Sequence, residues 1–264
     1  MNSIEDIVEF DEGEHKYKFR NHEFSISVTG FTDEHFPIFE EEKAIENILK
    51  SKKMRDPSYE YYGMDEQKIR EHWENGKKLG TILHAQIEDY YNGKGKTLEE
   101  VGTVEYGYFL NFAKDFSYIN PHKTELRIFS LDLDLAGSID LLVKNADGTY
   151  FIIDWKRAKN IDRSIIPNRY TQYGLLSGIS HIMNTNYNHY CFQLNIYRYI
   201  LQREYGFVVT GMALVIFHPN NKSKNYEIHH VPIMDTEMEY IMNIRLEKIR
   251  NSRYNGKCVV PPID

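Results

Sequence analysis

The stretch GSIDLLVKNADGTYFIIDWKRAK, Gly137 to Lys159, sets one aspartate inside an apolar run and a second aspartate and a lysine at the end of the next. An unpaired carboxylate buried in such a segment is costly, so Asp140, Asp154 and Lys156 need a reason to be there. The two runs read as strands joined by the turn NADG, with Gly148 at the tolerant backbone position. A hairpin symmetric about Asp147 puts Asp140 directly opposite Asp154. Side chains alternate along a strand, so Asp154 and Lys156 share one side and Trp155 takes the other. A structural salt bridge accounts for Lys156 and one aspartate, but leaves the second carboxylate without a cation. A divalent metal supplies the missing charge, and hard oxygen ligands suit Mg²⁺ or Mn²⁺. A register slip of one residue switches the faces, so the place of the turn decides this reading.

Two further pairs sit at helical spacing. His84 and Glu88, in GTILHAQIEDYY, are i, i+4 and share a face offset from the apolar stripe of Leu83 and Ile87. Alone, such a pair is more often a surface hydrogen bond than a ligand set. Gln193 and Tyr197, in CFQLNIYRYIL, repeat the spacing; alone, they read as polar groups satisfied within a core, or as groups that hold a phosphodiester or a base. Glu125, read as starting the strand before the hairpin, is a further acidic candidate whose default is solvent exposure. His15, His22, His229 and His230 form no second ligand set. The chain has no GxxxxGK[ST] loop, no GxGxxG after a strand and no GxSxG elbow.

The elements that must position these residues follow from periodicity. The opening IVEFDEGEHKYKFRNHEFSISVTGF alternates as a β-hairpin turning near Arg20-Asn21-His22 and ending in Ser27 to Thr29. Helices are expected over about Glu40 to Lys52 and Met64 to Lys78, with a new helix after Gly80 and another in VEYGYFLNFAKDFSYI. Three strands follow, TELRIFSL, LDLAGSIDLLVK and TYFIIDWKRA. A strongly apolar helix then runs to Gly206, followed by strands in FVVTGMALVIFHPN and NYEIHHVPI and a closing helix. That order predicts an α/β (α+β) domain with a central mixed sheet flanked by helices. The expected organisation is a single domain over 1–264, with an N-terminal hairpin and helical arm over 1–79 and a core over 80–264.

Composition narrows the function classes. The 264 residues are ample for one sizeable core, and 41% hydrophobic with 27% charged is an ordinary globular balance. No run approaches a membrane span, and the acidic N-terminus has no apolar h-region, so the expectation is an intracellular protein, neither secreted nor membrane-bound. Cys191 and Cys258 have no partner at metal-ligand spacing. A net charge of −7 argues against a globally basic coat for nucleic acid, but not against a local groove around a metal. Of the 20 Tyr and 14 Phe, many are expected in the core and a few could stack on bases.

Taken in order, GTILH, GSID, IIDWKRA and QLNIY resemble the RecB-like branch of the PD-(D/E)XK nuclease superfamily, which includes the mitochondrial genome maintenance exonuclease and phage or large-virus exonucleases. The likeness covers about Gly80 to Leu201. Asp154-Trp155-Lys156 is similar to the D-x-K motif, and Gln193-x-x-x-Tyr197 to the branch's Q-x-x-x-Y. The resemblance implies a restriction-endonuclease-like core and a Mg²⁺-dependent deoxyribonuclease, with Mn²⁺ as a substitute. It implies exonuclease action on single-stranded or end-containing DNA in replication, repair or recombination. It makes His84, Asp140 and Asp154 side-chain metal ligands, with the Trp155 carbonyl a backbone ligand. Lys156 would orient or deprotonate the attacking water, and Glu88 would stand in the outer shell or help a second metal. Gln193 and Tyr197 would position the scissile strand, and Ser27 and Thr29 are candidates for phosphate contacts. The four-cysteine iron–sulfur cluster of some relatives cannot form with two cysteines. No helicase segment is present, so the implied partners are DNA and a helicase, polymerase or single-strand-binding protein, wherever DNA is processed. A DNA endonuclease or RNA nuclease of the same fold, and an inert nucleic-acid-binding scaffold, are the alternatives.

Overall fold

The computed structural model of the chain describes residues 8–11, 13–14, 16–159, 161 and 166–254; His15 and Cys258 lie outside them. The N-terminal alternation makes three short strands rather than one hairpin: β1 (Val8–Asp11), β2 (Lys16–Phe19) and β3 (His22–Glu23), an antiparallel meander. The turn expected near Arg20 is present, with Arg20 at φ 54°, and β1 precedes it because Asp11 Oδ1 accepts the amides of Gly13 and Glu14 and closes an earlier turn.

β4 (Ile26–Ser27) is only two residues long, because the polar Ser-Val-Thr expected to end a strand instead starts a helix, α1 (Val28–Asp33). Ser27 Oγ accepts the Gly30 amide at 3.1 Å as the helix cap. The arm continues through α2 (Glu41–Lys50) to α3 (Glu66–Asp89), capped by Asp65. The break expected before Gly80 does not occur, since α3 passes through Gly76 and Gly80 without interruption. A helical glycine costs about 1 kcal/mol, and the buried Ile69, Leu83 and Ile87 on one continuous face outweigh it. The division at 79/80 therefore falls inside one helix. After a π-helical turn over Tyr90–Lys94 come α4 (Leu98–Val101) and α5 (Val104–Asp115).

The core strands are β5 (Pro121–Ser130), β6 (Leu135–Lys144), β7 (Tyr150–Lys156), β8 (Val209–Ile216) and β9 (Glu227–His230). With β4 they form one mixed sheet in the order β4-β6-β7-β8-β9, β5 also pairing with β6. α6 (Asn186–Glu204), capped by Thr185, and α7 (Asp235–Tyr254) complete the chain. One apolar core packs α1, α6 and α7 against residues such as Ile152 and Leu214; a second packs α3 and α5 against Ile153, Trp155 and Val215. Helices thus flank a mixed sheet, as the element order predicts. Among the described residues, no helix is long and apolar enough to cross a membrane.

The edges of β6 explain where a site can open. β5 lines one edge. Along the other, β4 pairs with Leu135 and Ala136, and β7 pairs with Leu141 to Lys144. Between these partners, from Gly137 to Asp140, β6 and β7 diverge. The gap is filled by side chains.

Candidate functional site

The β6–β7 ladder runs from Lys144↔Tyr150 to Leu141↔Ile153, so one further step sets Asp140 against Asp154, as a turn centred on Asp147 requires. There the strands part, and Asp140 Oδ2 accepts the Trp155 amide at 2.7 Å in place of a backbone carbonyl. Trp155 turns its indole into the α3/α5 core, while Lys156 on the opposite face reaches 5.0 Å from the Tyr190 ring of α6. Asp140 is 9% exposed and Asp154 4%, so both carboxylates sit behind protein.

Charges gather from four elements. His84 of α3 places Nδ1 3.5 Å from Asp140 Oδ1, and Lys156 Nζ lies 2.8 Å from Asp154 Oδ2. Asp154 Oδ2 is thus buried with the Lys156 ammonium as its charged partner. Glu125, expected at an exposed strand start, lies in the middle of β5 and is partly buried. The paired residues on either side, Thr124↔Leu141 and Leu126↔Ile139, bracket Glu125 and Asp140, and Glu125 adopts φ 45° between them. A non-glycine residue held there within a strand stores strain of a kind that collects at functional sites. Ser138 Oγ donates to its Oε2 at 3.0 Å.

His84, Glu125 and Asp140 each offer one ligand atom, and these three atoms lie within 4.8 Å of one another. Asp154 stands beside that group, turned to Lys156. Two carboxylate oxygens and an imidazole nitrogen suit Mn²⁺ or Mg²⁺. The residues present therefore fit a divalent ion.

The protonation pattern points the same way. Burial, with the Asp140 charge behind it, pushes Glu125 up to about 7. Burial also pushes Asp154 up to about 6, with Asp140 adding and Lys156 opposing. For Asp140, burial works upward but is outweighed by His84, Lys156 and the Trp155 amide, which together hold it below the usual carboxylate range. Burial alone would lower His84, yet Asp140 raises it. Lys156 is likewise raised, because Asp154 and Asp140 overcome its desolvation. Three acids against two bases leave an excess of negative charge that only protons neutralise in the absence of a cation.

The other candidates fall around this centre. Gln193 Nε2 donates to Thr29 Oγ1 at 3.0 Å and to Tyr197 Oη at 3.1 Å, which ties α1 to α6. Tyr197 lies across β6 where only a glycine fits, since a Cβ on Gly137 would stand 2.8 Å from Tyr197 Cε1. Ser27 is engaged as the α1 cap, and Thr29 is exposed beside Gln193. Glu88, one turn beyond His84, lies outside the three-ligand group and lines a small cavity with Tyr91, His122 and Lys123. Two residues had no signal in the sequence: Tyr190, under the Lys156 ammonium, and Tyr17 of β2, which burial and the Glu125 charge raise to about 12.

No protein-family model matches the chain. No curated protein matches it. Among solved structures, the crystal structure of SSO0001 aligns over 91% of this chain and 84% of its own, at 14% identity and a TM-score of 0.37. A likeness that distant says nothing about chemistry.

Proposed function

We propose that the chain is a metal-dependent nuclease that hydrolyses phosphodiester bonds of DNA, acting as an exonuclease on single-stranded or end-containing substrate, on a restriction-endonuclease-like core. The observation that carries this reading is the fork in the sheet. Asp140 and Asp154 face each other across diverging strands, with His84 on the first carboxylate and Lys156 on the second. Glu125, His84 and Asp140 would hold the ion, with Asp154 completing its surroundings. A bound Mg²⁺ or Mn²⁺ supplies positive charge to the phosphoryl oxygens and acidifies water that it contacts. Lys156, kept as an ammonium by its two aspartates, adds charge where the phosphate becomes more negative and orients the attacking water. Gln193 and Tyr197, fixed to each other and to Thr29, position the strand.

Cleavage of end-labelled linear DNA, circular DNA and matched RNA, with and without Mg²⁺ or Mn²⁺, tests the proposal. Metal-dependent shortening of linear DNA from an end is expected. Cuts in the circle make the protein an endonuclease, cleavage of RNA alone changes the substrate, and binding without cleavage in any arm leaves an inert scaffold.

A further inference from the structure

The seam between α1 and α6 leads from the site into a separate groove. Thr29 meets Gln193; one turn along each helix, Asp33 lies 3.7 Å from His189, and the His189 ring stacks on Phe36 at 4.2 Å. His189 is next in the sequence to Tyr190, whose ring lies under the Lys156 ammonium. At His189 a groove of about 880 Å³ opens. Two large rings on its walls are left to solvent, Phe39 at 68% exposure and Tyr170 at 74%, with the Arg169 guanidinium 4.7 Å from the Tyr170 ring centre. Asn47, Gln172 and Asn186 contribute amides. Its charged walls are Asp33 and Glu40 against Lys43, with Lys43 3.4 Å from Glu40 and the His189 ring 3.7 Å from Asp33.

A track for a phosphate chain is basic, and the walls of this groove are not. Its chemistry is that of flat rings with polar edges, which stack on aromatic faces and hydrogen-bond to amides. Resting on the nuclease reading, we infer that the groove is a subsite that stacks and hydrogen-bonds the unpaired bases of a nucleic-acid strand whose backbone passes Lys156. Bases inside a duplex are stacked and paired, and present no free face to Phe39 or Tyr170.

The test is fluorescence anisotropy of the full chain in EDTA, where metal-dependent cleavage is silent. The ligands are a labelled single-stranded oligonucleotide, an abasic strand of equal length and a duplex. The double variant Phe39→Ala, Tyr170→Ala should bind the single strand at least about tenfold more weakly, with abasic and duplex binding within about twofold of wild type. Phe39→Trp with Tyr170→Phe should restore binding. Both residues are exposed, and a thermal melt checks that the variants fold. Unchanged single-strand binding overturns the inference. Equal loss on the abasic strand also overturns it, because the groove then holds backbone. So does a changed oligomeric state of the variant in sedimentation, which makes the groove a contact between copies. Absence of single-strand binding by the wild type also overturns the inference; absence of metal-dependent cleavage removes the nuclease reading itself, whereas wild-type binding with unaffected variants removes only the groove.

Discussion

Glu125 is the residue in which strain, burial and charge meet, and its protonation makes a prediction. Glu125 and Asp154 are pushed up to about 7 and about 6, so the folded chain holds protons that the unfolded chain has released. With more protons bound folded than unfolded, stability falls as pH rises through the window from the ordinary carboxylate range to about 7. His84, whose folded value is raised, works in the same direction: its stabilising contribution is lost as pH rises through that value. Asp140, held low, loses its contribution only in acid, below the usual carboxylate range. Metal-free protein should therefore lose a few degrees of Tm between about pH 5 and about pH 7.5, and Mn²⁺ should restore it at the higher pH far more than at the lower. Glu125→Gln should flatten the fall. A Tm that is constant over this window, with or without Mn²⁺, contradicts the protonation pattern.

At the scale of elements, the β6–β7 fork and the α6 face depend on Gly137. Its substitution by Ala would drive a Cβ to 2.8 Å from Tyr197 and 2.9 Å from Val28 Cγ2. Gly137→Ala should cost about 1–3 kcal/mol by denaturant melting and slow cleavage through a displaced Tyr197 and Gln193, with Mn²⁺ affinity held. Loss of metal binding without loss of stability would contradict that division of roles. The fork was legible in the sequence because NADG pins the turn and the alternation of side chains then fixes which residues face each other. His84, Gln193 and Tyr197 were legible only through the order of motifs, since each pair alone fits a surface or core explanation. Glu125 was misread because Pro121 extends β5 several residues earlier than the apolar pattern starts, turning an apparent strand end into a strand centre. The run of α3 through Gly80 was hidden by a local signal that packing overrides. Tyr17 and Tyr190 reach the site through tertiary contacts that no local pattern records.

At the scale of the molecule, α7 is tied through one buried guanidinium to the β5–β6 connection and to Ser25, just after the N-terminal sheet. Arg245 Nε donates to the Leu133 carbonyl at 2.8 Å, and Nη2 donates to Ser25 Oγ and to the Asp134 carbonyl, beside the buried His22–Asp134 pair at 2.7 Å. Arg245→Ala removes the guanidinium donors to the Leu133 and Asp134 carbonyls and should cost about 1–3 kcal/mol, read as a lower denaturation midpoint; a shift near zero means that water satisfies them. The measurement that bears most directly on the whole account is single-turnover hydrolysis of a labelled DNA strand by wild type and Lys156→Ala, with Mn²⁺ and DNA affinity measured on the same samples. Metal-dependent cleavage should fall by at least about 10²-fold in the variant while both affinities stay close to wild type. Full activity in Lys156→Ala, or no metal-dependent cleavage by the wild type, would contradict it.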